Sequence, residues 1–172
     1  MDDTQPITAV FESDLGWMGV QWMGKSVVRS TFGHSDPAAV LANLPHEGDP
    51  TDKLNRAQTS LVKAMCRHAS GRKVDFSKIL LETSDFTPFQ LAVLNACRAV
   101  GWGETETYGG LAEIAGSPRA ARAAGSVMSS NRFPIIVPCH RIVAAGHRPG
   151  GYTAPGGVSM KERLLVMEGW KS

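Results

Sequence analysis

The stretch that decides the fold of this chain is YGGLAEIAGSPRAARAAGSVMSS, residues 108–130. Its apolar spacing predicts a short helix over 108–115, which Gly116 ends. Ser117-Pro118 supplies an N-cap and a proline at the first helical position, so we expect a second helix to begin there and to reach the end of the stretch. We expect Asn131 to close it in the left-handed conformation. Two short helices joined by a glycine turn predict a helix-turn-helix.

The second predicted helix has almost no large side chains apart from its arginines, Val127 and Met128. A helix that reads the major groove presents long polar side chains to base edges, whereas small residues allow close approach in the narrower minor groove. We therefore expect this helix to bind DNA in the minor groove without sequence preference. The residues expected to contact DNA are Ala121, Arg122, Ala123 and Gly125. A buried alanine-rich helix packed against its neighbours is the alternative.

The segments that flank this motif indicate an α+β protein. Three β-branched or aromatic runs predict a small antiparallel sheet, at 7–13, 15–23 and 26–32. Residues 51–69 have helical spacing, and 87–90, Thr-Pro-Phe-Gln, form a capping box that begins another helix. We expect an N-terminal α/β supporting domain, residues 1–82. A mostly helical, winged helix-turn-helix-like domain that binds DNA and carries the reactive cysteine should follow, residues 83–172.

Charge is distributed unevenly along the chain. The net charge is only +2, but residues 114–161 contain no Asp or Glu. The positive residues of this acid-free stretch are Arg119, Arg122, Arg132, Arg141, Arg148 and Lys161. This pattern predicts an electrostatic footprint for nucleic acid, with chance segregation of surface charge as the alternative. The apolar content argues against disorder. The absence of a long apolar run and the acidic start favour a soluble cytoplasmic protein, or a nuclear one in a eukaryote, without membrane contact.

The best candidate for a reactive centre is Pro-Ile-Ile-Val-Pro-Cys-His-Arg, residues 134–141. An apolar run and a proline place Cys139 rigidly beside an imidazole and a guanidinium, both of which favour the thiolate. A packing cysteine is the alternative. Cys66 and Cys97 are expected to fill apolar space in helices. Three scattered cysteines predict neither a disulfide framework nor a metal site.

Glu168 lies at the end of the predicted C-terminal helix, which a capping box at 159–162 begins. A carboxylate there faces the negative end of the helix dipole, so a partner such as an imidazole should hold it. Cys139, His140 and Glu168 would then supply the nucleophile, base and orienting acid of an activated thiol. A solvated glutamate at a frayed helix end is the alternative.

The second half of the chain resembles the O6-alkylguanine-DNA alkyltransferase family. The resemblance covers about residues 84–170, and its spaced motifs occur in the family's order. The matching motifs are Asp85-Phe86, Phe89-Gln90, Gly103-Glu104-Thr105, Tyr108-Gly109, Ser117 to Ala123, Asn131, Pro138 to Arg141, Gly151-Tyr152, Gly156-Gly157, Lys161-Glu162, Leu164-Leu165 and Glu168. The first half matches only in outline.

The resemblance implies that Cys139 attacks the alkyl carbon on O6 of a flipped guanine in double-stranded DNA. His140 would act as base through a water molecule, and Glu168 would orient it. The product is a thioether, so a monomeric protein is consumed by one alkyl group and needs no cofactor. The runner-up functions are a non-enzymatic damage-binding relative, a helix-turn-helix regulator and a cysteine hydrolase.

The resemblance also assigns supporting roles around the cysteine. Asn131 would support the active-site turn, Tyr108 would donate a proton to the guanine and rotate the nucleotide's phosphate, and Arg122 would fill the space left in the duplex. The residues expected to line the substrate pocket are Met128, Ile142, Tyr152 and Thr153. Thr153 stands where the family usually has a serine, in a loop that is about two residues longer than usual.

Overall fold

The computed structural model describes residues 5–45 and 49–171. It divides into two compact units, Met1–Glu82 and Thr83–Ser172. Within the described ranges, no helix is both long and apolar enough to cross a membrane.

The N-terminal unit is a three-stranded antiparallel sheet with two helices. The strands are β1 (Pro6–Ser13), β2 (Gly16–Met23) and β3 (Ser26–His34), and they pair in the order β1-β2-β3. The helices are α1 (Pro37–Ala42) and α2 (Arg56–Ala69). The predicted sheet is confirmed, because β-branched or aromatic runs separated by short turns are local signals.

Close packing between the sheet and its helices builds the N-terminal core. A Cβ at Gly19 of β2 would overlap the Val40 side chain of α1, so only glycine permits this approach. Met18, Phe32 and Met65 are fully buried. Helix α2 begins later than the predicted 51, because Asn55 accepts the Gln58 N–H and caps the helix there.

The C-terminal unit is mainly helical, so the α+β fold class is confirmed. Its elements are α3 (Pro88–Ala99), β4 (Glu106–Thr107), α4 (Tyr108–Ile114), α5 (Ala121–Ser129), a 3₁₀ turn (Cys139–Arg141), β5 (Ile142–Val143) and α6 (Gly157–Met167). Strands β4 and β5 form a short parallel pair. Helices α4 and α5 pack together around Gly116, whose φ of +78° gives the predicted glycine turn.

Three predicted helix ends are wrong. The Ala120 N–H donates to the Ser117 carbonyl, so Ser117-Pro118 forms a turn and α5 begins only at Ala121. Asn131 is not left-handed, because α5 already ends at Ser130 with an ordinary negative φ. Helix α6 begins at Gly157 behind the left-handed Gly156, which leaves the predicted cap Ser159 inside the helix.

Candidate active site

A buried turn places Cys139 in the lining of a cavity. Val137 donates its N–H to the Phe133 carbonyl at 2.7 Å, and Ile135 adopts a φ of +73°, which is strained for a β-branched residue. Pro138 then leads into the 3₁₀ turn that begins at Cys139, a residue only 7% exposed. Cys139 lines a cavity of about 320 Å³, which we call the Cys139 cavity.

The side chain of Asn131, which follows the end of α5, hydrogen-bonds to two backbone groups of this turn. Its Nδ2 donates to the Val137 carbonyl at 3.0 Å, and its Oδ1 accepts the Phe133 N–H at 3.0 Å. The Asn131 side chain also lowers the pKa of the nearby Cys139 thiol. The residue therefore holds the backbone of the turn that presents the sulfur.

We expect Asn131→Ala to lower the free energy of unfolding by about 1–3 kcal/mol, because the buried Phe133 N–H loses its acceptor. Urea unfolding measures the change. The matched control is Asn43→Ala, which removes an exposed side-chain bond to the Ala39 carbonyl and should change stability by less than about 0.5 kcal/mol. Equally small changes in the free energy of unfolding of both variants would show that the turn is stable without the Asn131 side chain.

His140, Arg141 and Glu168 form a buried network beside the cysteine. His140 Nε2 lies 2.8 Å from Glu168 Oε1. Arg141 donates from Nε to Glu168 Oε2 at 2.7 Å and from a terminal nitrogen to Oε1 at 3.0 Å. Glu168 is 5% exposed, so the alternative of a solvated glutamate is wrong. The imidazole expected beside Glu168 is there, and Arg141 is an additional partner that the sequence did not indicate.

The end of α6 explains why Glu168 can turn into this network. Glu168 is the C-cap residue, and Gly169 follows with a φ of +91°. The Trp170 N–H donates back to the Leu165 carbonyl at 2.9 Å, which closes the helix. The sharp turn leaves the Glu168 carboxylate hydrogen-bonded to His140 and Arg141.

The Cys139 thiol is protonated at rest. Burial raises its pKa above the ordinary value, while the nearby polar side chains of Asn131 and Tyr152 and the charge of Lys161 lower it in part. Reaction of this sulfur as a thiolate therefore requires a base. Burial likewise raises the pKa of Tyr108, so its phenol is protonated at neutral pH.

Lys161 is the feature of this site that the sequence did not reveal. The side chain is fully buried, and its Nζ donates to the Ile142 carbonyl at 2.5 Å and to the Gly151 carbonyl at 3.3 Å. Nζ lies 5.7 Å from the Tyr108 ring centre and 5.8 Å from that of Tyr152. Burial lowers the pKa of Lys161 to about 8. The signals in the sequence were its place in the matching motif Lys161-Glu162 and its spacing from the apolar Leu164 and Leu165 of α6.

The Cys139 cavity gathers most of the predicted pocket residues. Its lining comprises Tyr108, Gly125, Met128, Ser129, Cys139, Gly151, Tyr152 and Thr153. Thr153 donates its hydroxyl to the Ser129 carbonyl at 3.1 Å, which links the long loop to α5. Ile142 does not line the cavity, contrary to prediction. It is fully buried in β5, where its carbonyl accepts Lys161.

Helix α5 has one buried and one exposed face. Ala124 and Met128 are buried, whereas Arg122 and Ala123 are exposed, and Ala121 and Gly125 are half-buried. The alternative of a wholly buried helix is therefore wrong. The exposed face carries small side chains and one long cation.

Only part of the acid-free stretch contributes charge to the surface. Arg141 pairs with Glu168, and Lys161 is buried. Arg132 donates to both oxygens of Asp85, at 2.7 and 3.2 Å, and lies 4.4 Å from the Phe86 ring centre. The exposed cations of the stretch are Arg119, Arg122 and Arg148. The number of positive residues in residues 114–161 therefore overstates the positive charge that this stretch places on the surface.

Comparisons with known proteins agree on one family. The profile of the 6-O-methylguanine DNA methyltransferase DNA-binding domain matches residues 88–170. A methylated-DNA–protein-cysteine methyltransferase of Metallosphaera sedula is 35% identical over 115 residues, which make up 67% of this chain and 70% of the relative. This chain belongs to that family. The resemblance inferred from the sequence motifs is thereby confirmed.

Members of the methyltransferase family also share the fold of the whole chain. The structure of Mycobacterium tuberculosis OGT in complex with DNA has 27% identity and a TM-score of 0.73, and the match covers 94% of this chain and 92% of that one. The Pyrococcus kodakaraensis O6-methylguanine-DNA methyltransferase has 26% identity and a TM-score of 0.70, with 96% and 99% covered. A Methanosarcina acetivorans relative is 45% identical over 83 residues, 48% of this chain and 52% of the relative. The chain spans about half the length of such relatives.

Proposed function

We propose that this protein repairs DNA directly, by moving an alkyl group from O6 of guanine to Cys139 in a single, irreversible turnover. The observation that carries the proposal is a buried cysteine in the lining of a cavity in the helix-turn-helix unit, adjoining a hydrogen-bonded His140–Glu168 pair. Family membership supports the same chemistry. The DNA substrate favours a location in the cytoplasm, or in the nucleus of a eukaryote.

The reaction follows from the protonation states in the site. A Glu168 carboxylate that accepts from His140 Nε2 leaves Nδ1 as the basic nitrogen of a neutral imidazole. His140 takes the Cys139 proton through a water molecule, and the sulfur attacks the alkyl carbon. The carbon–sulfur bond forms as the bond from carbon to O6 breaks, and guanine leaves after it receives a proton from Tyr108. The thioether has no good leaving group, so the protein acts once.

DNA binding is assigned to the exposed face of α5. The alkyl carbon on O6 cannot reach a buried thiol while its guanine stays in the base stack, so the nucleotide must rotate outward into the Cys139 cavity. Small residues on α5 permit a close approach to the minor groove, and the exposed Arg122 can occupy the space that the rotated base leaves. We assign the N-terminal unit a supporting role and expect a monomer to suffice.

The decisive experiment uses duplex DNA with radiolabelled methyl on guanine O6. We expect one label per protein molecule, located on the peptide that contains Cys139. Cys139→Ser should take up no label but still bind DNA, because a hydroxyl is a far weaker nucleophile at neutral pH. Cys66→Ser is the matched control and should react fully.

Other outcomes would identify the alternative functions. Several turnovers per molecule would indicate a hydrolase, and binding of alkylated DNA without label transfer would indicate a damage-binding protein. Protection of one defined operator, with no transfer, would indicate a regulator. Label on Cys66 would contradict the assignment of the nucleophile.

We expect Arg122→Ala to slow repair of duplex DNA by about tenfold to a hundredfold, a loss of about 1.4–2.7 kcal/mol in transition-state stabilisation. Its reaction with free O6-benzylguanine should stay unchanged, because only the duplex requires base rotation. Single-turnover kinetics with both substrates measure the difference. Arg72→Ala, which removes an exposed arginine of the N-terminal unit, should alter neither rate. Equal losses on both substrates would refute the proposed role of Arg122.

A further inference from the structure

The N-terminal unit contains a second cavity that alkyl transfer does not use. Its volume is about 260 Å³, and it lies among the β2–β3 turn, the start of α2 and residues 78–80. We call it the Gln58 cavity. Its apolar lining is Trp22, Val27, Leu61, Ile79 and Leu80. Leu80 is 59% exposed, so an apolar side chain borders an opening to solvent.

Backbone hydrogen bonds hold one side of the Gln58 cavity in place. The Val27 N–H donates to the Leu80 carbonyl at 2.8 Å, and the Glu82 N–H donates to the Val27 carbonyl at 2.8 Å. These bonds fix the segment around Leu80 alongside β3. The cavity is therefore formed without a ligand, as is usual for small-molecule sites.

The electrostatics of the Gln58 cavity favour an anion. Asn55, Ala57 and Gln58 line it, so the positive end of the α2 dipole adjoins it. Lys25 and Lys78 also line it, and both are exposed. Among the described residues that line the cavity, none is acidic.

Gln58 supplies a separate indication of a ligand. Its Oε1 accepts the Asn55 N–H at 2.9 Å, which commits that oxygen to the helix cap. Its Nε2 is buried and has no hydrogen-bond partner within the described part of the chain, although the residue is only 3% exposed. Buried donors are almost always paired, so an acceptor from outside the protein would complete this one.

We propose that the Gln58 cavity binds a small organic anion, a carboxylate or a phosphate ester attached to one ring or a short apolar chain. The anionic group binds at the start of α2, where it accepts from Gln58 Nε2 and is attracted by Lys25 and Lys78. The apolar part packs against Trp22 and Leu61. The volume is below the range of about 300–1,000 Å³ common for larger ligands, which limits the apolar part to about one ring.

The test is a titration of the ¹⁵N-labelled full chain, followed by NMR. The probes are 3-phenylpropionate, phenyl phosphate and the uncharged 3-phenylpropan-1-ol. We expect both anions to shift the Gln58 side-chain amide and the Trp22 indole signals saturably, and more weakly as salt is added. The alcohol should cause no saturable shift, because it lacks the charge that the lysines and the helix attract.

Gln58→Glu is the most direct test of anion binding, because glutamate preserves the capping box but repels an anion. We expect it to weaken binding at least tenfold. Gln90→Glu is the matched control, because Gln90 occupies the same capping-box position in α3, and it should bind both probes normally. Lys25→Gln combined with Lys78→Gln should weaken binding about fivefold and gives a second readout if Gln58→Glu fails to fold.

Three results would overturn the proposal. Equal binding of the alcohol would show an apolar pocket without anion selectivity. Unchanged binding by Gln58→Glu or by the double lysine variant would place the anion elsewhere. No saturable shift with either anion would show that the Gln58 cavity does not bind this class of ligand. None of these results bears on alkyl transfer to Cys139, which is measured separately.

Discussion

Glu168→Ala is expected to lower the free energy of unfolding by about 3–5 kcal/mol, because it leaves Arg141 as a buried charge without its carboxylate. Arg141 is 8% exposed, donates two hydrogen bonds to Glu168 and donates a third to the Val100 carbonyl. Urea unfolding measures the loss. Glu162→Ala removes an exposed glutamate from the same helix and should change stability by less than about 0.5 kcal/mol.

Glu168→Gln separates the effect on reaction from the effect on folding. The amide keeps the shape of the side chain but holds His140 without a negative charge, so we expect transfer from O6-benzylguanine to slow about a hundredfold. Unfolding should be affected less than in the alanine variant. Normal transfer by a folded Glu168→Gln protein would show that the carboxylate serves only to pair Arg141.

Local signals in the sequence predicted those elements that neighbouring residues determine. The capping box that begins α3 is formed by Thr87 and Gln90, three residues apart, and it is present as expected. The three strands likewise follow from short runs of β-branched or aromatic residues. Ser117-Pro118 misled the prediction of α5 because the same two residues are suited to a turn and to a helix start. The local sequence alone does not decide between a turn and a helix start.

Contacts between distant residues limited the prediction of the site. Arg141 and Glu168 are 27 residues apart, and Arg132 and Asp85 are 47 apart, so spacing alone could not pair them. Counting charges predicted a larger basic surface than exists, because the fold turns some of those charges inward. The predicted pairing of His140 with Glu168 succeeded because a carboxylate at a helix end requires a partner, whichever segment supplies it.

Lys161→Met is expected to slow alkyl transfer at least tenfold at pH 7, because the Cys139 thiolate loses the cation that offsets its burial. The pKa of Lys161 is about 8, so the wild-type side chain becomes neutral above that pH. The ratio of wild-type to variant rates should therefore fall as the pH rises through 8. The transfer rate from O6-benzylguanine, measured from pH 6.5 to 9, tests this. A constant ratio would indicate that Lys161 only bridges backbone carbonyls.

The same titration should be visible in the stability of the protein. The pKa of Lys161 falls from 10.5 in the unfolded chain to about 8 in the folded one, so between these values the unfolded state binds more protons. Wild-type stability should rise above pH 8, by at most about 1.4 kcal/mol per pH unit. Above about pH 9 the raised pKa values of Cys97 and Cys139 oppose this rise, because the unfolded thiols then ionise first. Lys161→Met should abolish the rise between pH 8 and 9, whereas Lys171→Met, which removes an exposed lysine, should preserve it.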